Sequence, residues 1–133
     1  MEKNDTLLQA FEWYLPDDSQ HWNKLKVLAP SFSNLGVTVV WLPPAYKGAG
    51  GVHDVGYGVY DLYDLGEFDQ KGTIPTKYGT KQEYLDAIGA LQKENITVLA
   101  DIVLNQKMGG DTEETIDVIK SDPNNRNEEI GGD

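Results

Sequence analysis

Cysteine is absent from this chain of 133 residues, so no disulfide can stabilise the fold and no thiol can act as a nucleophile. Histidine occurs only twice, as His21 and His53, and the sequence has no zinc-type spacing, P-loop or dinucleotide fingerprint. Long apolar runs are also missing, so no segment approaches the length of a membrane span. The 11 basic residues are outnumbered by 22 acidic ones, and the net charge of −11 argues against nucleic acid as a partner.

The remaining composition is typical of a globular protein, with 39% hydrophobic and 25% charged residues. The length corresponds to about one ordinary domain. The first five residues show no apolar run behind a basic start, so we expect no signal peptide and, by default, a soluble cytoplasmic protein. An acidic chain of this kind suits a neutral ligand such as a carbohydrate.

Three predicted strands alternate with two predicted helices. Apolar and β-branched runs indicate strands at residues 6–14, 37–42 and 96–99. The second run is almost continuously apolar, as expected for a strand covered on both faces. The order β-α-β-α-β implies parallel strands joined by right-handed crossovers, which is the α/β fold class.

Helix boundaries are marked by specific residues. From His21 onwards, apolar residues recur at spacings of three and four, which predicts an amphipathic helix. Pro30 should kink or restart that helix because proline has no backbone N–H, and Gly36 should supply a left-handed cap. Thr80 and Glu83 have the spacing of a capping box and predict the start of the second helix.

Two long irregular segments follow the second and third strands. Residues 43–79 greatly exceed the roughly 2–6 residues of an ordinary strand-to-helix loop, which predicts a functional loop. Its aromatic content argues against disorder. The aromatic residues are Tyr46, Tyr57, Tyr60, Tyr63, Phe68 and Tyr78. Residues 111–133 are acidic and polar with a turn-like stretch at 122–125, and they predict an irregular excursion.

Three residues near predicted strand ends could contact a ligand. Tyr57 lies between two glycines and could present a ring face to a pyranose, or it could pack as an ordinary loop residue. Asp101 ends a buried strand, where it could bind substrate hydroxyls or orient an arginine, or serve as a structural cap. Asn105 offers an oxygen suited to calcium, although most such asparagines satisfy turn backbones.

Glycoside hydrolysis requires two carboxylates about 5–5.5 Å apart for retention, or about 6.5–9.5 Å apart for inversion. Four acidic residues lie at or beyond predicted strand ends and are candidates for such a pair. They are Glu12, Asp54, Asp61 and Asp101. Nothing in their spacing identifies two that would act together.

Five ordered motifs resemble the bacterial liquefying-type α-amylases of glycoside hydrolase family 13. They are residues 11–14 (FEWY), 41–48 (WLPPAYKG), 55–69, 76–79 (TKYG) and 101–111. The similarity runs from about residue 6 to about residue 127. The absence of a signal peptide resembles the intracellular, cytoplasmic members.

The resemblance implies the N-terminal part of a (β/α)8 TIM barrel, about three βα units long, with an inserted domain beginning after the third strand. Residues 1–105 would belong to the barrel, and residues 106–133 would begin the calcium-binding inserted domain. The implied activity is endo-hydrolysis of α-1,4-glucosidic bonds in starch, glycogen or maltodextrins, with retention of configuration. The implied substrate is an α-glucan or maltooligosaccharide, and the implied cofactor is calcium.

By motif position, the resemblance also assigns roles to individual residues. Tyr57 would stack on the sugar beside the scissile bond, and Trp13 and Tyr14 would line the cleft. Asp101 would support the catalytic centre, and Asn105 would ligate calcium.

The sequence departs from the family pattern in two ways. Gln106 stands where the family has a substrate-binding histidine, and glutamine is never cationic. The family's nucleophile, acid/base and third catalytic carboxylate come from later strands, so no residue of this chain inherits those roles. We therefore expect the chain alone to be unstable and inactive. The alternatives are a non-catalytic maltooligosaccharide-binding module and a remnant without independent function.

Overall fold

The computed structural model describes residues 4–131, and its centre is a three-stranded parallel sheet in the order β1-β2-β5. The elements in chain order are β1 (Leu7–Gln9), α1 (His21–Asn34), β2 (Val39–Leu42), β3 (Lys47–Gly48), a 3₁₀ turn (Gly51–His53), β4 (Val59–Asp61), α2 (Lys81–Lys93), β5 (Thr97–Ala100), β6 (Lys120–Asp122) and β7 (Asn125–Gly131). Leu8 pairs with Val40, which pairs in turn with Val98. The predicted order of parallel strands and helices is confirmed.

The two helices begin and end as their local chemistry requires. Thr80 and Glu83 form a complete capping box at the start of α2, and Gly36 follows α1 with φ of 82°. The predicted restart at Pro30 is wrong, because α1 is one continuous helix from His21 to Asn34. No helix among residues 4–131 combines the length and apolarity that crossing a membrane requires.

The hydrophobic core lies between the helices and one face of the sheet. Trp22 and Leu25 of α1 and Leu91 of α2 pack against Val40 and Leu42 of β2. The alternate residues of β2 are only half-buried, and most of β5 is exposed. The expectation that both sheet faces are covered is therefore not met within the described residues.

The first strand is shorter than its apolar run. β1 covers only Leu7–Gln9, because its partner β2 ends at Leu42 and is followed by two prolines, which cannot donate ladder hydrogen bonds. The next residues leave the sheet, and the backbone N–H of Tyr14 donates to the Glu12 carboxylate at 2.6 Å. The predicted strand at 6–14 is therefore too long.

The expectation of a wholly irregular tail is wrong. β6 and β7 form an antiparallel hairpin. Asp122 initiates its turn, since its Oδ1 accepts the backbone N–H groups of Asn124 at 2.7 Å and Asn125 at 3.2 Å. The turn-like stretch was thus identified correctly, but the strands on either side are polar and lack the apolar alternation that predicts a strand.

Candidate functional site

A cavity of about 420 Å³ lies where the chain leaves β1 and β2. Its walls come from β1 and the segment after it, from β2, and from the long segment 43–79. The lining residues are Gln9, Phe11, Glu12, Trp13, Trp41, Val55, Tyr57 and Tyr78. Five of these eight side chains are aromatic, which is typical of a site that binds the apolar faces of a ligand.

The Trp13 and Tyr57 rings are parallel at the rim of this cavity. Their centroids are 6.2 Å apart and their planes differ by 4°. Trp13 is 60% exposed, so part of its ring remains open to solvent. Below them, Phe11 meets Trp41 edge to face at 5.3 Å. The arrangement provides flat apolar faces of the kind that contact sugar rings.

Asp101 ties this aromatic group to the end of β5. Its Oδ2 accepts the Tyr57 hydroxyl at 2.7 Å and the Trp41 Nε1–H at 3.2 Å. Burial raises the pKa of Tyr57, and the carboxylate of Asp101 raises it further because it disfavours a neighbouring phenolate. Tyr57 therefore stays protonated and keeps donating at neutral pH. These two hydrogen bonds support a structural role for Asp101, because they fix the Tyr57 and Trp41 side chains.

Tyr14 and Gln106 lie outside the lining of this cavity. Tyr14 is 87% exposed. Gln106 donates from Nε2 to the Tyr57 carbonyl at 3.1 Å, which places it beside the stacked rings. With Asn105 it lines a second cavity of about 300 Å³ against β4. The substrate-contact roles of Tyr14, Gln106, Trp13 and Tyr57 stay predictions.

Calcium does not fit the described residues as they stand. Calcium takes about six to eight oxygen ligands, largely carboxylates and carbonyls. Asn105 is exposed, and its amide nitrogen donates to the Gln106 side-chain oxygen at 3.3 Å. Between residues 4 and 131, no cluster of three or more His, Cys, Asp or Glu side chains could hold a metal ion. Asn105 as a ligand stays a prediction that needs donors beyond this set.

The four candidate carboxylates all have hydrogen-bond donors within the protein. Glu12 and Asp101 have the partners given above. Asp61 accepts Gln70 Nε2–H and the Tyr63 backbone N–H, both at 2.9 Å, and these bonds hold its pKa below the usual value. A general acid needs a raised pKa, so Asp61 is unsuited to that role.

Trp41 and Tyr78 line the cavity and were missed as site residues. Trp41 could have been found from its position on β2. Its neighbours Val40 and Leu42 point into the core, so Trp41 faces the opposite side of the sheet. Tyr78 had no comparable signal, because only the return of the long segment towards α2 brings its hydroxyl to the Val55 carbonyl at 2.8 Å.

Comparison with solved structures shows that the fold of this chain is similar to part of a much larger enzyme, alternansucrase. Alternansucrase in complex with isomaltotriose superposes with a TM-score of 0.71 and 29% identity over 81% of this chain and 10% of that one. Truncated alternansucrase from Leuconostoc mesenteroides gives a TM-score of 0.64 and 30% identity over 73% of this chain and 10% of that one. The fold is that of a part of a glycoside-hydrolase-type enzyme.

Several curated proteins are similar to this chain over nearly its whole length. An alpha-amylase of Geobacillus stearothermophilus is 54% identical over 97% of this chain and 23% of its own length. The cytoplasmic alpha-amylase of Escherichia coli is 53% identical over 93% of this chain and 25% of its own length. The glucan 1,4-alpha-maltohexaosidase of Bacillus sp. is 51% identical over 98% and 25%. No family model matches the sequence.

The chain is a homologue of the bacterial alpha-amylases, as its motifs predicted. It spans about a quarter of the length of these relatives, between 23% and 25%.

Proposed function

We propose that this chain forms part of an α-amylase that hydrolyses internal α-1,4-glucosidic bonds of starch, glycogen or maltodextrins with retention. The single observation that carries the proposal is the cavity at the end of β1 and β2, where Trp13 and Tyr57 stand parallel and Asp101 holds the tyrosine hydroxyl. The homology to alpha-amylases supports a glucan as the occupant of that cavity.

In this proposal the chain binds and orients substrate. A pyranose ring packs its C–H surface on the Tyr57 or Trp13 face, which gains apolar contact area with little loss of side-chain entropy. Asp101 fixes the tyrosine ring at its hydroxyl end. By the resemblance to the α-amylases, the nucleophile and the acid/base come from later strands, outside residues 4–131.

The proposed architecture is a (β/α)8 TIM barrel, with residues 1–105 in the barrel and residues 106–133 at the start of an inserted domain. Support comes from the parallel sheet, whose outer strands β1 and β5 each pair on only one side within the described residues. Apolar side chains on α1 and just after it also lack cover there, with Val27 76% and Leu35 79% exposed. Further strands and helices would pair those edges and bury those side chains.

An isolated 133-residue chain should therefore be unstable and inactive on starch. We expect no cooperative thermal transition and no release of reducing sugar, because three strands cannot close a barrel. A cooperative melt together with reducing-sugar release from the pure chain would contradict this.

A cytoplasmic location is proposed from the relative of that description in Escherichia coli. Fractionation of cells that express the full-length gene product tests it. Recovery of the protein outside the cell would contradict it.

The binding proposal is tested by Tyr57→Ala in the full-length gene product that contains this chain. The matched control is Tyr63→Ala, which removes a tyrosine of the same segment that lies outside the aromatic cavity. Loss of the Tyr57 ring should weaken maltohexaose binding by about 1.5–3 kcal/mol, the contribution of a buried aromatic side chain. Calorimetric titration measures the affinity, and equal effects of the two variants would contradict the proposal.

Gln106→His provides a second test in the same protein. If the side chain at position 106 contacts substrate, the histidine should raise kcat/KM. The increase should correspond to roughly 1 kcal/mol of transition-state stabilisation, the contribution of one polar contact. Asn125→His, in the exposed β7 strand, is the control for adding a histidine at a surface amide position. Unchanged kinetics would show that position 106 makes no such contact.

A non-catalytic maltooligosaccharide-binding module is the second candidate. It is favoured by the aromatic cavity, whose parallel Trp13 and Tyr57 rings can contact a sugar without a catalytic carboxylate pair. The two candidates differ in one assay, which combines binding and reducing-sugar release by the full-length gene product. Saturable binding with hydrolysis supports the amylase, and saturable binding without hydrolysis supports the module. Absence of both supports a remnant.

A further inference from the structure

The Asp54 side chain is enclosed by the backbone of the segment that carries Tyr57. Its Oδ1 accepts the N–H groups of Gly56 at 2.8 Å and Gly58 at 3.2 Å, and its Oδ2 accepts the Gly50 N–H at 3.1 Å. A carboxylate that accepts several backbone N–H groups holds them in one arrangement, because charge-assisted hydrogen bonds are stronger than neutral ones.

Glycines surround this carboxylate because nothing larger fits. A Cβ at Gly48 would lie 2.1 Å from the Asp54 Cγ, and a Cβ at Gly58 would lie 2.4 Å from its Oδ2. Gly56 has φ of 98°, and a Cβ there would approach Pro44 Cβ to 2.7 Å. The backbone around Asp54 is therefore shaped for close approach to this one side chain.

The enclosed carboxylate brackets Tyr57. The N–H groups that bond Oδ1 belong to the residues immediately before and after it, so the Tyr57 Cα is fixed from both sides. The other end of its side chain is fixed by the bond from its hydroxyl to Asp101. A ring held at both ends can remain parallel to Trp13, with a plane difference of 4°.

We propose that Asp54 is a positioning residue that sets the orientation of the Tyr57 ring through these backbone bonds, and that it is not an acid, base or nucleophile. The role of the positioned ring in glucan binding rests on the proposed function. The orientation itself does not, and the two parts are measured separately.

The variant that tests this is Asp54→Asn in the full-length gene product. Asparagine keeps the size of the side chain, but its NH2 nitrogen cannot accept, so either the Gly50 N–H or the N–H groups of Gly56 and Gly58 lose their acceptor. The oxygen that remains is neutral, so the bonds it still accepts are no longer charge-assisted and are weaker. The matched control is Asp61→Asn, another carboxylate of the same segment with one backbone and one side-chain donor, neither of which belongs to a neighbour of Tyr57.

The first readout needs no ligand. Amide hydrogen exchange of a peptide that covers residues 54–60 should rise at least fivefold in Asp54→Asn, while peptides of α1 and α2 stay unchanged. Asp61→Asn should leave exchange at Gly56 and Gly58 unchanged. Unaltered exchange at those two glycines in Asp54→Asn, or an equal rise throughout the protein, would overturn the proposal.

The second readout asks whether Asp54 acts through Tyr57. Asp54→Asn should weaken maltohexaose binding roughly fivefold, the factor of one lost hydrogen bond. In a Tyr57→Ala background the same change should have less than a twofold effect, since the ring it orients is gone. Equal weakening in both backgrounds would overturn the proposal. No effect of Tyr57→Ala alone would contradict the proposed function, and the exchange experiment would still decide the role of Asp54.

A second variant is used if Asp54→Asn does not fold. Asp54→Ser keeps one accepting oxygen on a shorter side chain in place of the two oxygens that accept three backbone N–H groups. Exchange at Gly56 and Gly58 should therefore still rise. Unchanged exchange at both glycines in a folded Asp54→Ser protein would overturn the proposal.

Discussion

Residues 43–79 and residues 101–131 both follow a strand of the same parallel sheet, yet only the first segment has an interior of its own. At its centre Lys47 and Asp64 form an ion pair of 3.4 Å with no exposed side-chain surface. The lysine donates to the carbonyls of Phe68, Thr73 and Ile74 at 3.2, 2.6 and 2.7 Å. Asp64 accepts the backbone N–H groups of residues 66, 67 and 68.

Residues 101–131 contain no buried residue in the described part of the chain. Their apolar side chains are at least 48% exposed apart from the partly covered Val103. They are Ile102, Leu104, Met108, Ile116, Val118, Ile119 and Ile130. The segment is joined to the other one by hydrogen bonds near its beginning. The backbone N–H groups of Val103 and Met108 donate to the Tyr46 hydroxyl at 2.6 Å and the Val59 carbonyl at 2.7 Å, and the Tyr60 hydroxyl donates to Asp111 at 2.6 Å. These add to the bonds of Tyr57 with Asp101 and Gln106 described above.

The two segments are stabilised in different ways. Residues 43–79 satisfy their polar groups internally, and a buried charge pair is tolerated because both ions are fully hydrogen-bonded. Residues 101–131 expose a row of apolar side chains, so they gain order only from whatever covers that row. The first segment supplies Val55, Tyr57 and Tyr78 to the aromatic cavity, and the rest of the lining comes from β1, the residues after it and β2.

The largest expected effect is that of Lys47→Met. It leaves Asp64 as an uncompensated buried charge and removes the donor for three carbonyls, so unfolding free energy should fall by about 3–5 kcal/mol. Urea unfolding of the full-length gene product measures it. Lys24→Met, which breaks the exposed pair with Asp18, is the control and should change little. A small effect of Lys47→Met would show that the first segment does not depend on its interior.

Gly56→Ala should have the next largest effect. Its Cβ would meet Pro44 at 2.7 Å, whereas at Gly72, which also has positive φ (75°), a Cβ would meet nothing within 4 Å. Both variants strain the backbone, but only the first overpacks, so Gly56→Ala should cost about 1–3 kcal/mol more. Thermal unfolding compares the two. Equal costs would mean that positive φ, and not close packing, limits this segment.

Asp122→Ala addresses the second segment and should have a small effect. It removes the acceptor of the β6–β7 turn, so the hairpin should lose order, which amide exchange of residues 120–131 would detect. Global unfolding free energy should change by less than about 0.5 kcal/mol, since β6 and β7 contact only each other among the described helices and strands. A larger loss of global unfolding free energy would show that the second segment also stabilises the core.

Asp111→Asn should have the smallest effect and tests the contact between the segments. The hydrogen bond to Asp111 is the main cause that raises the pKa of Tyr60, and the substitution should lower that pKa towards its ordinary value near 10. The protonated Tyr60 hydroxyl can donate this bond, so any stabilisation of the folded protein by the bond is fully present at pH values below the ordinary tyrosine pKa. The stabilisation is lost as the pH rises through the raised pKa of Tyr60 in the folded protein. Ring-carbon NMR titration resolves the tyrosines, and an unchanged Tyr60 titration in Asp111→Asn would contradict this contact. As the control, Tyr57 should stay protonated over the same pH range in both proteins, because its pKa is raised by burial and by Asp101.

The candidate site was only partly accessible from the sequence. Tyr57 and Asp101 were identified because glycines flank the first and a predicted strand precedes the second, but the bond between them spans 44 positions and has no local signature. Asp54 was considered for acid/base chemistry, whereas its three backbone donors indicate a positioning role. Lys47 gave no signal at all, since a buried lysine depends on acceptors 21 to 27 residues away.

The sequence by itself determined the order of the three parallel strands and two helices, the capping box at Thr80 and the similarity to alpha-amylases, because periodicity, caps and motifs are local properties of the chain. Tertiary structure decided where β1 ends, how α1 passes through Pro30 and which side chains line the cavity. Each of those outcomes depends on a partner distant in sequence, and its hydrogen bonds and burial exist only once the two parts are brought together.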